Sequence, residues 1–563
     1  MNEIVALIIR QMRRPVLVLV CAYAVAILGM SYIPMIGEDG EMTYLTVFQA
    51  FYWVSYTATT IGYGEIPVPF SDWQRLWVAF SIYYTVPAWL YAAGKIIGLL
   101  QDKTFQLALQ ENRFMRRVEK LRHKFVIICG FGEPGKRLVE LLLKEGYQCV
   151  VIDHDETRIN KMVLDASLHH VLSIRGDASD VDILLKSGIH SVFCRAVLAI
   201  TDSESVNIKV ALAAKLLSSD HTKFKIICRT FTRRGTANAK SFGTDIVVNT
   251  NQIFAERFTI GLRRPAIAEL IARFYETPGN RFQPLPQPPA GRWIICGYDA
   301  LGKTLERFLN YEGVDTVIIN DDDAADHIQG IGTEDVTLRE ARIERAQAIV
   351  AARNSDSENL SIVMSAKMLH PSLFVIGKQN RSTNNALFTV AGFDRVMEEA
   401  DLIVSQVFPQ IARPMTSRLI TLIRHQNEQW GERLLQQIQT LSGEVIPEQF
   451  IIRITPKGAP AVMAYLQKDH ILRLQTLWML SDDADTINDA LPLLLLRKGK
   501  EILLPKPATN LQEGDQILVI YHNPLIAQRI RRALSDEAEL FYAIHGREMP
   551  RSYVMNYILK KLD

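Results

Sequence analysis

The segment of this sequence with the most specific spacing is Thr59-Thr60-Ile61-Gly62-Tyr63-Gly64-Glu65. Glycine admits left-handed backbone at low cost. Two glycines alternating with larger residues therefore let an extended strand turn successive carbonyl oxygens to one side. A ring of such carbonyls replaces the hydration shell of K+. A second segment, Gly130-Phe131-Gly132-Glu133-Pro134-Gly135, follows a short apolar strand, His123 to Cys129. A helical pattern with Leu138, Leu141 and Leu142 runs from it to Gly146, and a strand then closes on Asp153, 23 residues after the first glycine. In that context G-x-G-x-x-G is a dinucleotide fingerprint. Gly130 allows the tight turn, Gly132 lets the backbone approach a pyrophosphate, and Gly135 lets the helix pack on the strand. The helix N-terminus adds free N–H donors and partial positive charge. Asp153 can accept from both ribose hydroxyls of an adenosine. No Arg follows it directly, so a free 2′-hydroxyl is favoured over a 2′-phosphate. NAD or another adenine nucleotide is the expected ligand; a Rossmann-like lobe with an empty or degenerate cleft is the other reading.

The unit repeats. Trp293 to Gly302 matches the first strand and loop at an offset of 167 residues, which also pairs Gly146 with Gly313 and Ile152 with Ile319. Ser203–Leu216 matches Ser355–Met368 at an offset of 152. A stiff Pro-rich stretch, Pro278 to Pro289, separates the copies. The second copy keeps Gly297 and Gly302 but has Asp299 in place of Gly132 and Asn320 in place of Asp153. A carboxylate in the phosphate loop repels pyrophosphate, so the second cleft is expected to be the poorer site, taking a different nucleotide, a cation with a phosphate, or nothing.

The first hundred residues must hold the first segment at membrane depth. Pro15 to Ile36 is uncharged for 22 residues and Leu76 to Gly94 for 19, each enough to span a bilayer. Trp73 and Trp77, at the start of the second run, suit an interface. A cleaved signal peptide would need a shorter apolar run and a small-residue cleavage site. Between the spans, Tyr44 to Thr57 is apolar and aromatic but too short to cross, which suits a re-entrant helix. Arg10, Arg13 and Arg14 precede the first span; Arg113, Arg116, Arg117, Lys120, Arg122 and Lys124 follow the second; Glu38, Asp39 and Glu41 lie between. The positive-inside rule puts both termini in the cytoplasm.

The segment Thr59–Glu65, preceded by Trp53 and Thr57, resembles the pore helix and selectivity filter of potassium channels. That resemblance implies K+ sites at the carbonyls of Thr60, Ile61, Gly62 and Tyr63, with Gly64 completing the filter and Trp53 and Tyr63 in an aromatic cuff around it. Glu65 stands where Asp is usual, and Tyr56 where some bacterial channels carry a buried Glu. One filter per chain is a quarter of a ring, which implies a homotetramer. After such a pore, the tandem resembles RCK domains (regulators of K+ conductance). Gly176-Asp177-Ala178 and Thr201-Asp202-Ser203 fit that family's pattern, and the stretch from about Ile446 to Tyr521 resembles its small C-terminal subdomain. The expected fold is an α-helical membrane pore, with two spans, a re-entrant pore helix and filter, joined to two α/β Rossmann-like RCK domains with a small α+β C-terminal subdomain. The expected boundaries are 1–100 pore, 101–122 helical linker, 123–277 first RCK domain, 278–290 linker, 291–440 second Rossmann-like lobe, and 441–563 C-terminal subdomain and tail. The implied activity is a K+ channel of a bacterial or archaeal cytoplasmic membrane, gated by nucleotides at a ring of eight RCK units. Ile97 and Leu100 would form an apolar gate, and a taut helical connector would run from Gln101 to Lys124, with Pro87 as a bend point.

Composition sets limits. With 63 Lys+Arg against 61 Asp+Glu the net charge is +2, which argues against a nucleic-acid partner. The six widely spaced cysteines read as small buried hydrophobes. Asp321, Asp322 and Asp323, with Asp326, could bind a hard cation such as Ca2+; Asp482, Asp483 and Asp485 form a second acidic run, and solvated loop acids are the other reading of both. His169-His170 reads as a surface pair, and Tyr91 with Lys95 as a coincidental echo of short-chain dehydrogenases. No catalytic constellation is found. A membrane-anchored nucleotide-dependent oxidoreductase is the alternative function class, and the absence of a hydride-transfer acid/base pair counts against it.

Overall fold

The computed structural model describes residues 2–36, 41–65, 69–218, 223–284, 286–322, 326–478 and 489–549. Glu38, Asp39, Asp323, Asp482, Asp483 and Asp485 lie outside the described residues. The chain divides into two units, Met1–Leu121 and Arg122–Asp563.

The first unit is helical. Two helices, with apolar segments Ile8–Tyr32 and Asp72–Gln101, are long and apolar enough to cross a membrane. The second runs unbroken through Pro87, so no break marks the expected bend point. Trp77 ties the two spans together. Its indole N–H donates to the Ala26 carbonyl at 3.1 Å, and the ring fills the space that a Cβ at Gly29 would occupy, 2.2 Å away. Between the spans a 12-residue helix, Val47–Ala58, starts at a capping box: Gln49 N–H donates to Thr46 Oγ1, and Thr46 N–H donates back to Gln49 Oε1. Ala50, Trp53, Val54 and Tyr56 on this helix pack with Ala26 and Met30 of the first span. A further helix, Lys103–Glu119, begins immediately after the second span. Asp102 separates the two: its carboxylate accepts from Thr104 N–H at 2.8 Å and from Phe105 N–H.

The second unit contains two six-stranded parallel sheets of one topology. In chain order the first sheet's strands are Phe125–Cys129, Gln148–Asp153, Leu172–Arg175, Cys194–Ala199, Lys225–Thr230 and Ile246–Asn249, arranged 3-2-1-4-5-6. The second sheet, from Arg292–Cys296 to Arg395–Glu398, repeats that order. This is the doubly wound arrangement, with its crevice at the carboxyl ends of strands one and four. Near-continuous apolar strands such as Phe125–Cys129, buried at every residue, are what a sheet covered on both faces requires.

After its sixth strand, each lobe sends a helix across to the other. Thr250–Arg263 packs on Ala300–Tyr311, the first helix of the second lobe, and Glu399–Ala412 packs on Glu133–Lys144, the first helix of the first. One continuous core therefore includes Phe254 and Phe258 of one lobe and Trp293, Val407 and Phe408 of the other. Past the second lobe, a four-stranded antiparallel sheet holds Glu448–Arg453, Gln516–Tyr521, Ala490–Arg497 and Lys500–Leu503 in that spatial order. Its buried Asp515 is clamped by Arg497 through bonds of 2.8 and 2.7 Å.

Candidate functional sites

At the end of the Val47–Ala58 helix the chain changes character. Thr60, Gly62 and Gly64 adopt left-handed φ angles of 64°, 68° and 88°, alternating with Ile61 and Tyr63. The Tyr56 carbonyl accepts from Ile61 N–H at 2.9 Å and from Gly62 N–H at 3.2 Å, pinning the start of the segment to the helix. The Tyr56 hydroxyl donates to the Gly64 carbonyl at 2.7 Å and so braces its far end. The Tyr56 and Tyr63 rings meet edge to face, 5.6 Å apart, while Trp53 is buried within the unit. Glu65 is held by Arg75 at 2.9 and 3.2 Å and accepts from Phe70 N–H. Ile61 and Tyr63 stay exposed on this single chain. Further along the second span, Leu99 is buried, whereas Ile97 and Leu100 are exposed.

In the first lobe the fingerprint residues meet as their spacing predicts. Gly130 has a φ of 106°, and its carbonyl oxygen lies 2.2 Å from where a Cβ on Gly135 would sit, so the helix can approach the loop only with glycine there. Gly132 caps the helix Glu133–Lys144 without a side chain, which leaves the N-terminal N–H groups uncapped. Asp153, Asp177 and Asp202 lie at or just past the carboxyl ends of strands two, three and four. The Asp153 carboxylate is buried. One oxygen accepts from Phe131 N–H at 2.6 Å and the other from Asp155 N–H at 2.8 Å, so its first role is to brace the glycine loop. Bonds from the backbone and hydroxyl of Ser179 hold Asp177 below the usual carboxylate range.

Two arginines at this cleft escaped the sequence reading. Arg158 lies 3.6 Å from Asp153, 3.5 Å from Asp155 and 3.8 Å from Asp202. The argument from the absence of an Arg directly after Asp153 is corrected accordingly: one helical turn brings Arg158 back to that carboxylate. Arg229, on strand five, pairs with Asp202 at 3.3 Å and with Glu399, the first residue of the crossover helix from the other lobe, at 2.6 Å. Only the strand order places Asp202 and Arg229 side by side.

The second cleft has the same frame with different contents. Gly297 has a φ of 101°, and its carbonyl would meet a Cβ on Gly302 at 2.1 Å. Asn320 braces the loop as Asp153 does, accepting from Tyr298 N–H at 3.0 Å. Asp299 is the N-cap: its carboxylate accepts from Leu301 N–H at 2.9 Å and from Gly302 N–H at 3.4 Å. Lys378 bonds its other oxygen at 3.2 Å. The helix N-terminus that would receive a phosphate thus already holds the chain's own anion.

The described acids of the run beside this cleft, Asp321 and Asp322, are engaged by other side chains. Asp321 is clamped by Arg353 through two 3.2 Å bonds, and Asp322 bonds His327 Nδ1 at 2.9 Å. Among the described residues no group of three or more His, Cys, Asp or Glu side chains is placed to hold a metal. The expectation of Ca2+ here gains no support: an arginine already neutralises the first carboxylate, the second faces a histidine, and Asp323 lies outside the described residues.

Comparison with known proteins bears on these sites. The family model for the TrkA-N domain matches residues 126–250 and again 293–399, and the model described as "Ion channel" matches residues 16–102. The chain thus carries an ion-channel region followed by two TrkA-N (RCK) domains. Potassium channel protein 1 of Methanocaldococcus jannaschii is 31% identical over 172 residues, 30% of this chain and 50% of that one. The voltage-gated potassium channel Kch of Escherichia coli K12 is 30% identical over 176 residues, 31% of this chain and 40% of that one. The chain thus spans half or less of the length of these two relatives. Among solved structures, the GsuK channel bound to NAD superposes over 94% of this chain and 99% of that one, at 15% identity and a TM-score of 0.46. The chain is a membrane protein, and the two relatives just described are named as potassium channels.

Proposed function

We propose that this chain forms a K+-selective channel, gated by an adenine nucleotide at the first RCK cleft. The observation that carries the K+ reading is the Thr60–Gly64 segment: alternate residues left-handed, both ends tied to Tyr56, and Ile61 and Tyr63 left exposed on the single chain. Four copies would complete a ring of Thr60, Ile61, Gly62 and Tyr63 carbonyls. The membrane would be a bacterial or archaeal cytoplasmic membrane, with both termini in the cytoplasm and eight RCK lobes per tetramer. Exposed Ile97 and Leu100 would meet near the axis as a dewetting gate. The helix Lys103–Glu119, free of Gly and Pro, would carry force from the ring to the second span.

The nucleotide reading rests on the uncapped helix behind Gly132. An incoming diphosphate would take those N–H donors and lie beside Arg158, whose Nη1 is 3.7 Å from where a Cβ on Gly132 would sit. Recording from the purified chain in planar bilayers tests the whole proposal. The expected results are a reversal potential following K+ rather than Na+, open probability that responds to NAD, and silence in Gly62→Ala with the oligomer intact. Equal K+ and Na+ permeability, or normal currents from Gly62→Ala, would reject the filter. A Gly/Ser insertion near Leu109 is expected to preserve nucleotide affinity and abolish its effect on opening.

A further inference from the structure

A cavity of about 850 Å³ lies where the two RCK lobes exchange helices, away from both nucleotide clefts. Its walls come from the helices Thr250–Arg263, Pro265–Tyr275 and Glu399–Ala412 and from the Pro-rich connector. That size falls within the range of small-molecule sites, roughly 300–1,000 Å³. The apolar lining is mixed, with five aromatic rings, Phe254, Phe258, Tyr275, Phe282 and Phe408, among aliphatic side chains.

Seven carboxylates, Glu276 among them, and five cations, Lys144 and four arginines, line the cavity, and not every charge has a partner. Glu145 is engaged by Arg413, Glu256 by Arg424, Glu269 by Arg273 and Asp394 by Lys367. Glu398 and Asp401 share Arg137. Two lining cations, Arg257 and Arg395, have no carboxylate within ion-pair distance among the described residues. Arg257 stacks on Tyr275 at 4.5 Å and donates to Ser405 Oγ at 2.9 Å, and its buried Nε has no acceptor. Arg395 donates only its Nε, to the Pro286 carbonyl at 3.1 Å. Burial lowers the pKa of both, that of Arg395 to about 10. A partly buried guanidinium without a counter-ion carries a desolvation cost, and a ligand that supplies the anion recovers part of it.

We infer that this cavity is a binding site for a small aromatic anion: a flat apolar body lying among the phenylalanines and a carboxylate paired with Arg257 and Arg395. Because the walls belong to both lobes, such a ligand would favour one interlobe arrangement over another. The inference stands apart from the channel reading, and its test reads binding alone.

The test is calorimetry on the full-length protein in detergent against a protein-free micelle blank, with 2-naphthoate as probe and the uncharged 2-naphthylmethanol as control. The expected result is one naphthoate per chain, with binding weakened at least about tenfold in Arg257→Gln and in Arg395→Gln, as loss of a charge-assisted bond requires. Arg395→Lys should restore part of the loss, and the naphthylmethanol heats should be the same in every arginine variant. Ala272→Trp, which fills the cavity without touching either charge, should abolish naphthoate binding. Thermal unfolding of each variant controls for folding. No naphthoate heat above the blank, or equal affinities in wild type, both glutamine variants and Ala272→Trp, would overturn the inference and leave the cavity as a water-filled joint.

Discussion

The two RCK clefts are built on one frame and differ in who supplies the anion. In each, a left-handed glycine opens the loop, a third glycine lets the helix close onto that loop, and a strand-two side chain braces the loop backbone. In the first, the helix N-terminus is capped by Gly132 and left uncapped by any side chain. In the second, Asp299 bonds the helix N–H groups and Lys378 bonds Asp299. The paired positions make the substitution legible. Arg229 and Lys378 occupy the same place on strand five of their lobes, and Asp202 and Asn354 the same place after strand four. In the first lobe the strand-five cation reaches outward to Asp202 and to Glu399 of the crossover helix. In the second it turns inward to Asn354 and Asp299. Among these differences, glycine in one lobe and aspartate in the other set an uncapped helix N-terminus against a self-capped one on the same fold.

The largest expected effect would break what the clefts share. Gly135→Ala and Gly302→Ala each drive a Cβ to within 2.2 Å and 2.1 Å of a loop carbonyl. Neither loop can yield without losing its turn, so each variant should lose about 3 kcal/mol, the upper end of overpacking costs. Thermal unfolding should show similar losses in the two variants; a tolerant Gly302→Ala would mean the frames are not equivalent.

Next in size is the exchange of the anion. Gly132→Asp should cap the first helix from within and weaken NAD binding about 100-fold, as expected for a charged group replacing the ligand at its donors. Asp299→Gly should do the reverse, freeing the second helix N-terminus and Lys378, so that calorimetry reads two nucleotides per chain instead of one. A stoichiometry unchanged in Asp299→Gly would show that something besides this carboxylate closes the second cleft.

The sequence carried the frame and missed the contents. Glycine spacing, the apolar strands and the offsets of 167 and 152 residues between copies depend on local chain geometry, which sequence displays. The crossover exchange also had a visible signal: Arg264-Pro265 recurs as Arg413-Pro414 at each helix junction. Arg229 beside Asp202, Lys378 beside Asp299 and Arg353 beside Asp321 could not be read the same way, because each pair meets only once the strand order is known. The bracing role of Asp153 was hidden for a different reason. An acid at the end of strand two has the same sequence signature whether or not it also holds its own glycine loop, and only the fold shows that Phe131 N–H and Asp155 N–H donate to it.

A smaller effect should separate the bracing residues. Asp153→Asn keeps an acceptor for Phe131 N–H, as Asn320 does for Tyr298 N–H, so the loop should survive. The variant loses the charge that helps to hold Arg158. NAD binding should change by less than about tenfold, the size of a single modest hydrogen-bond contribution, whereas Asp153→Ala, which leaves two backbone donors unpaired, should also lower the unfolding temperature. Equal behaviour of Asn and Ala at this position would mean that the brace contributes nothing.

The smallest effect concerns pH. Asp321 is held below the usual carboxylate range chiefly by its bonds from Arg353. Because its folded pKa is depressed, the stability it adds is fully present above the pKa of the unfolded chain, near about 3.9. That stability disappears as pH falls through the lower folded value and the carboxyl is protonated. The pair is exposed, so solvent screening keeps its contribution small. At the matching position the first lobe has His154, which carries no such clamp. Acid should therefore loosen Arg353 at the mouth of the second cleft and leave the first without this response. The difference in unfolding temperature between wild type and Asp321→Asn, followed from about pH 6 down to about pH 3, should be positive at the upper end and shrink towards the lower. A difference that stays constant over that range would show that the Arg353 clamp, although formed, does not stabilise the second lobe. The contrast between the clefts would then rest on Asp299 and Lys378 alone.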